Sequence, residues 1–191
     1  MKHIMFGLLA LTVAVGFTGC KSAPKADSDK TMFDYMQEEV GKITDQGGMA
    51  SVGLGESRNT QLAITKAKVE ARKNLAQLVQ VKIENLEKAF IEEVGEANGS
   101  EMNELFSSAT KQITAQELQG TVPKMQKYEV DEGVTTAYVL MVLNPDIIHE
   151  TLKNSNKPKL YERYRASKAF EELDKEIKEY EEAERQDMLG M

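Results

Sequence analysis

The pattern of apolar and polar positions changes period several times along this 191-residue chain. Ile4 to Phe17 is an uncharged run of apolar and small residues with no polar face. Thr31 and Asp34 stand at capping spacing. Phe33, Met36, Val40 and Ile43 then recur at intervals of three and four, which predicts an amphipathic helix within residues 31–48, stopped by Gly47-Gly48. Residues 49–57, MASVGLGES, read as a short strand leading into glycines that allow positive φ and close backbone approach, and then into a helix start. A helical period returns over about 59–93. Ile64, Ala67, Ala71, Leu75 and Leu78 descend one face, and Val79, Ile83, Leu86 and Phe90 extend an adjoining stripe. The small residues come first, where they let the helix lie close on a sheet; the large ones later require a second helix to cover them.

Gly95 and Asn98-Gly99 mark the break. The second helix is expected from about 101 to 117, with Ser100 as N-cap, Glu101 and Glu104 in the first turn, and an apolar face of Met102, Leu105, Ala109 and Ile113. Residues 118–130 form a strand in which Pro123 argues for an edge or a bulge. Asp131-Glu132-Gly133 is a hairpin turn, and Val134 to Leu143 is the strongest strand, apolar on both faces near its end and therefore central. Asn144-Pro145 opens a short helix through Leu152. After Pro158 the chain becomes a charged helix in which Ala166, Phe170, Leu173, Ile177 and Tyr180 keep a four-three spacing. Two readings remain for this seam: a dimerisation or partner-binding helix, or a helix folded back on its own domain. Glu171–Lys175 is an expected ion pair on its outer face.

These periods predict an α+β fold. A small antiparallel sheet of about three strands, in β-α-α-β-β order, is packed by a long helix, with an additional N-terminal helix and a charged C-terminal helix. The chain divides into residues 1–19, 20–30, an amphipathic helix at 31–48, an α+β domain at 49–155 and a C-terminal helix at 156–191.

The first two segments acquire a meaning from charge and from one residue. Lys2 and His3 precede the apolar run, which has the layout of a secretory signal. As a helix, the run from Ile4 to Phe17 reaches only about 21 Å, short of the roughly 30 Å hydrocarbon core. Phe17-Thr18-Gly19-Cys20 follows and contains the only cysteine. These four residues resemble the bacterial lipobox, departing from it at Phe17, which is bulkier than the usual aliphatic residue. The resemblance implies that diacylglycerol is added to the Cys20 thiol, that residues 1–19 are removed, and that the new amine can be acylated in turn. Lys21 to Lys30 carries no large apolar residue and reads as a disordered tether. Lys21, where an Asp would resemble an inner-membrane retention signal, favours the outer membrane.

"SVGLGESRNTQLAITKAKVEARKNLAQLV", with "YVLMVLNPD" downstream, is similar to the Lpp-twenty family of bacterial outer-membrane lipoproteins. In that family a V-G-x-G strand precedes a helix of spaced alanines ending in R-x-x-L-A, matched here by Arg72, Leu75 and Ala76, and a Tyr-Val strand closes the domain, matched by Tyr138-Val139. The resemblance spans about residues 49–150. It implies a small α+β domain and an envelope location, and it implies no reaction.

Composition narrows the function classes. The formal net charge is −7, and removal of Lys2 with residues 1–19 makes it more negative, which disfavours nucleic acid. With Cys20 acylated no thiol remains for disulfides, thiolate catalysis or metal ligation. Gly53-x-Gly55 suggests a dinucleotide loop, but the third glycine position is Arg58 and no βαβ repeat follows. His149, the only histidine after residue 3, lacks the second histidine of a zinc-protease motif. There is no G-x-S-x-G and no tryptophan. Cys20 is therefore the one site residue, with no catalytic, cofactor-binding or metal set. The expected function is non-enzymatic: a lipid-anchored envelope lipoprotein acting through protein contacts, alone or as an oligomer. One alternative is a small-ligand module with a cavity between the long helix and the sheet. Another, by analogy only, is an accessory lipoprotein of a flagellar or secretion assembly.

Overall fold

The computed structural model of the chain describes residues 30–95, 99–118 and 121–190. The apolar run, Cys20 and nearly all of the expected tether lie outside the described residues. Among those described, the fold is α+β, with a three-stranded antiparallel sheet ordered β1-β3-β2.

Helix α1 (Met32–Asp45) opens with the capping box read from the sequence: Thr31 accepts from the Asp34 amide and Asp34 accepts from the Thr31 amide. Its buried face differs by one residue from the expected one. Met36 and Ile43 are buried, Met32 and Val40 pack beside them, and Phe33 is exposed. α1 packs on its own domain, against Ala50, Val52, Tyr138 and Leu140 of the sheet.

Strand β1 (Met49–Ser57) alternates two faces. Ala50 and Val52 point toward α1, whereas Ser51, Gly53 and Gly55 meet helix α2 (Thr60–Val94). The two glycines do not have the positive φ expected of them; among the described glycines that belongs to Gly47, Gly95 and Gly133. Their role is close approach alone. A Cβ on Gly53 would sit 2.1 Å from the Ala67 carbonyl oxygen and 2.3 Å from the Ala71 nitrogen, and one on Gly55 would sit 2.3 Å from the Ala63 carbonyl oxygen. Ser51 Oγ donates to the Ala71 carbonyl at 2.7 Å, and the Asn74 amide donates to the Val52 carbonyl at 3.0 Å. The spaced alanines and the V-G-x-G strand thus form one contact.

α2 is about 52 Å long, much longer than the sheet is deep, and its buried line turns as it goes. Ala63, Ala67, Ala71, Leu75, Val79 and Ile83 are buried at steps of four. Each such step advances the line about 40° around the axis. The N-terminal half therefore faces the sheet and the C-terminal half faces other helices. Leu78, expected in the first face, stands about 100° from Val79 and is 43% exposed.

Helix α3 (Gly99–Gln112) begins before the expected cap, so Ser100 lies inside it. A π-helical turn, Ile113–Glu117, follows. Buried Met102, Leu105, Ala109 and Ile113 are as expected; Phe106 joins them, and Leu118 is buried five residues beyond Ile113, a step that suits the wider turn.

Strand β2 (Pro123–Asp131) is an edge with a bulge between Pro123 and Met125, and β3 (Val134–Leu143) is the central strand. The connecting turn has Glu132 at φ 47 and Gly133 at φ 78 between the pair Asp131 and Val134, the signature of a type I′ hairpin. Ala137, Val139 and Met141 of β3 enter the core under α2, while Tyr138 and Leu140 enter the one under α1.

The C-terminal segment is not the single helix expected. Helix α4 (Asp146–Lys153) is followed by α5 (Pro158–Arg165) and α6 (Lys168–Leu189). Ser167 separates the last two: its hydroxyl donates to the Tyr164 carbonyl at 2.5 Å and accepts from the Phe170 amide as N-cap. Ala166 falls at this break and is exposed, so it leaves the seam, and Ala169 takes its place beside Leu173, Ile177 and Tyr180. α6 folds back on the domain. Ala169, Leu173 and Ile177 join the α2 core, and Tyr180 joins the α1 core. Gly47 and Gly48 permit this, because a Cβ on Gly47 would meet the Glu176 carbonyl oxygen at 2.3 Å and one on Gly48 the Tyr180 ring at 2.5 Å. Lys82 of α2 pairs with Glu176, and Lys175 pairs with Glu179 rather than with Glu171.

Candidate functional site

Cys20, the one site residue expected from the sequence, lies outside the described residues. Three other places could carry function. Beneath α2, where an enclosed ligand was an alternative, the space beside Gly53 and Gly55 is filled by helix backbone. A half-open groove of about 450 Å³ lies between α1, α2 and α6, with Leu78, Val81, Lys82 and Glu176 among its walls.

The second place is around His149. It is buried and stacks on Phe170 with ring centroids 4.1 Å apart. Its Nδ1 lies 3.4 Å from the Tyr164 hydroxyl, and its Nε2 has no hydrogen-bond partner among the described residues. Asp146, Asp174 and Arg165 line a groove of about 540 Å³ beside it. Burial pushes the imidazole pKa below its ordinary value, while Asp146 and Asp174 oppose that shift more weakly. Among the described residues no group of three or more His, Cys, Asp and Glu side chains could hold a metal ion. Burial favours the neutral form of the imidazole, which packs on Phe170 and beside Tyr164.

A neutral buried histidine makes stability depend on pH. Its folded pKa is depressed, so between that value and about 6.5 the unfolded chain binds more protons than the folded one. The contribution is present above about pH 6.5 and is lost as pH falls toward the folded pKa. The melting temperature is expected to fall between about pH 7.5 and about pH 5. His149→Phe, which retains the stack on Phe170, should show a smaller fall across the same range. Equal slopes for the two chains, read by circular dichroism, would contradict this.

The third place is β2. α2 lies over β1 and β3 and leaves β2 bare on that side. Tyr128 is 55% and Val130 61% exposed. Lys127 and Glu129 are exposed on the opposite face, where Met125 alone is drawn toward the α1 core. In sheet order β1-β3-β2 the outer side of β2 pairs with no other strand among the described residues. Its main-chain groups are available to another strand, and Lys124, Lys127, Pro123 and the bulge are the kind of feature that keeps such an edge from indiscriminate pairing. The edge was legible in Pro123; the bareness of the face was not, because it depends on where α2 lies.

No protein family, curated protein or solved structure matches the chain. Among the described residues no helix is long and apolar enough to cross a membrane.

Proposed function

We propose that the chain is a non-enzymatic lipoprotein of the bacterial outer membrane, held by acyl chains on Cys20 and acting through protein contacts. The observation that carries the reading is Phe17-Thr18-Gly19-Cys20 at the end of an uncharged run, preceded by Lys2 and followed by ten residues without a large apolar side chain. One acyl chain holds a protein only marginally, whereas two or three, at about 0.8 kcal/mol per buried methylene, make a lasting anchor. The resemblance read from residues 49–150 to Lpp-twenty lipoproteins implies the same location. Contact with protein is favoured over an enclosed ligand by the filled α2–β1 interface and the bare β2 edge.

Mass spectrometry of protein extracted from host membranes tests the anchor. The expected mature N-terminus is Cys20, with its sulfur carrying diacylglycerol. A different N-terminus, or an unmodified sulfur, would overturn the reading. Cys20→Ala should abolish the lipid-bearing species.

A further inference from the structure

We infer that β2 pairs with β2 of a second copy of this chain, antiparallel and about a two-fold axis through Tyr128, to make one six-stranded sheet. The inference deepens the protein-contact part of the proposed function by naming the partner, and it does not depend on the acyl anchor.

The hairpin decides which main-chain groups are free. Asp131 and Val134 close a two-residue type I′ turn, so they form a hydrogen-bonded pair. Alternation along the strand then directs the N–H and C=O of Glu129 and Lys127 toward β3. The groups of Val130, Tyr128 and Gln126 face the open edge. Those three side chains share the bare face, since their β3 partners are Thr135, Ala137 and Val139.

Charge favours one register. A two-fold axis perpendicular to the sheet keeps each face on one side, so only registers symmetric about a residue are allowed. Centred on Tyr128, Lys127 of each copy lies opposite Glu129 of the other, Gln126 lies opposite Val130, and the two Tyr128 rings meet. Moving the centre to Lys127 sets lysine against lysine; moving it to Glu129 sets glutamate against glutamate. Like charges directly opposite are destabilising and unlike charges favourable. The Tyr128 centre also aligns the free groups of Gln126, Tyr128 and Val130 for about six main-chain hydrogen bonds. It gathers Tyr128 and Val130 of both copies in the trough between the two α2 helices, which removes the exposed apolar surface of the edge. Two copies joined this way would put two Cys20 anchors on one particle.

The test is disulfide trapping in the full chain, in detergent extracts of whole host cells, with the unsubstituted chain as the control for Cys20. Facing residues in a hydrogen-bonded antiparallel pair have Cα atoms about 5.5 Å apart, within disulfide reach. Tyr128→Cys, a change at an exposed position, should give a covalent homodimer on mild oxidation. Gln126→Cys should give none, because its counterpart lies about 13 Å along the strand. Lys127→Glu should reduce the Tyr128→Cys dimer several-fold, and adding Glu129→Lys should restore it. A folded Tyr128→Cys chain that stays monomeric, equal trapping at Gln126, or a Tyr128 adduct with a different protein would each overturn the inference. The outcomes separate from those of the anchor. A trapped dimer with bare Cys20 leaves the pairing and removes the lipid, whereas acylated Cys20 without a dimer does the reverse.

Discussion

Gly53→Ala is expected to destabilise the domain by about 3 kcal/mol or more, at the upper end of what overpacking costs. The new methyl would lie 2.1 Å from the Ala67 carbonyl oxygen and 2.3 Å from the Ala71 nitrogen. Both are main-chain atoms inside the N-terminal half of α2, so no side chain can swing aside. The helix must move off β1, and the buried bond from Ser51 to Ala71 and the half-buried one from Asn74 to Val52 stretch with it. For a chain of this size the loss corresponds to a fall in melting temperature of about 10 °C. Gly41 supplies the contrast. It lies inside α1 and a Cβ there meets nothing within 4 Å. Gly41→Ala should therefore stabilise by up to about 1 kcal/mol through helix propensity. Denaturant melts of the two variants should shift in opposite directions; shifts of the same sign would refute the close-approach account.

Tyr164→Ala should cost about 3–5 kcal/mol, the range for deleting a buried aromatic side chain. Tyr164 is fully buried and joins elements distant in sequence. Its ring centroid lies 5.8 Å from Phe90 of α2, 5.6 Å from Phe106 of α3 and 5.6 Å from Phe170 of α6, and each pair is close to perpendicular. Edge-to-face pairs of this kind add to the area term. Removing the ring leaves a cavity where α2, α3, α5 and α6 meet, so α6 should lose protection in hydrogen exchange before α1 and β1 do. Tyr164→Phe is the control. The hydroxyl makes only a long contact, 3.4 Å, with His149, and its loss should cost less than about 1 kcal/mol. A Tyr164→Ala chain as stable as the Phe variant would show that the aromatic cluster does not hold the helices together.

Much of the fold was legible because each signal was local. The Thr31–Asp34 capping box, the central placement of β3 and the edge character implied by Pro123 all depend on residues a few positions apart, and the structure has all three. Where spacing and structure part, the cause is the same. Spacing puts Phe33 in the buried face of α1, yet Met32 packs there, because both fit a spacing of three to four. Spacing gives Leu78 a straight face, but the α2 line rotates to serve two different neighbours. Spacing includes Ala166 in the last seam, where Ser167 instead breaks the chain into α5 and α6. Ser167 carried the available signal, as an N-cap residue inside an otherwise helical run.

The candidate sites divide in the same way. Cys20 is a matter of sequence alone, since its motif is linear. The bare face of β2 could not be read from Tyr128 and Val130, whose alternation fits a covered strand equally well. It follows from α2 resting on β1 and β3. By itself the sequence determined the order in which helical and strand segments follow one another and the apolar residues each could offer, because hydrophobic period and capping act over a turn or two of chain. The tertiary structure decided which offers were taken: that α6 folds back over Gly47 and Gly48, that α2 lies flush on Gly53 and Gly55, and that one strand is left open. Those outcomes depend on how closely distant backbones can approach, a property of paired surfaces that no single segment encodes.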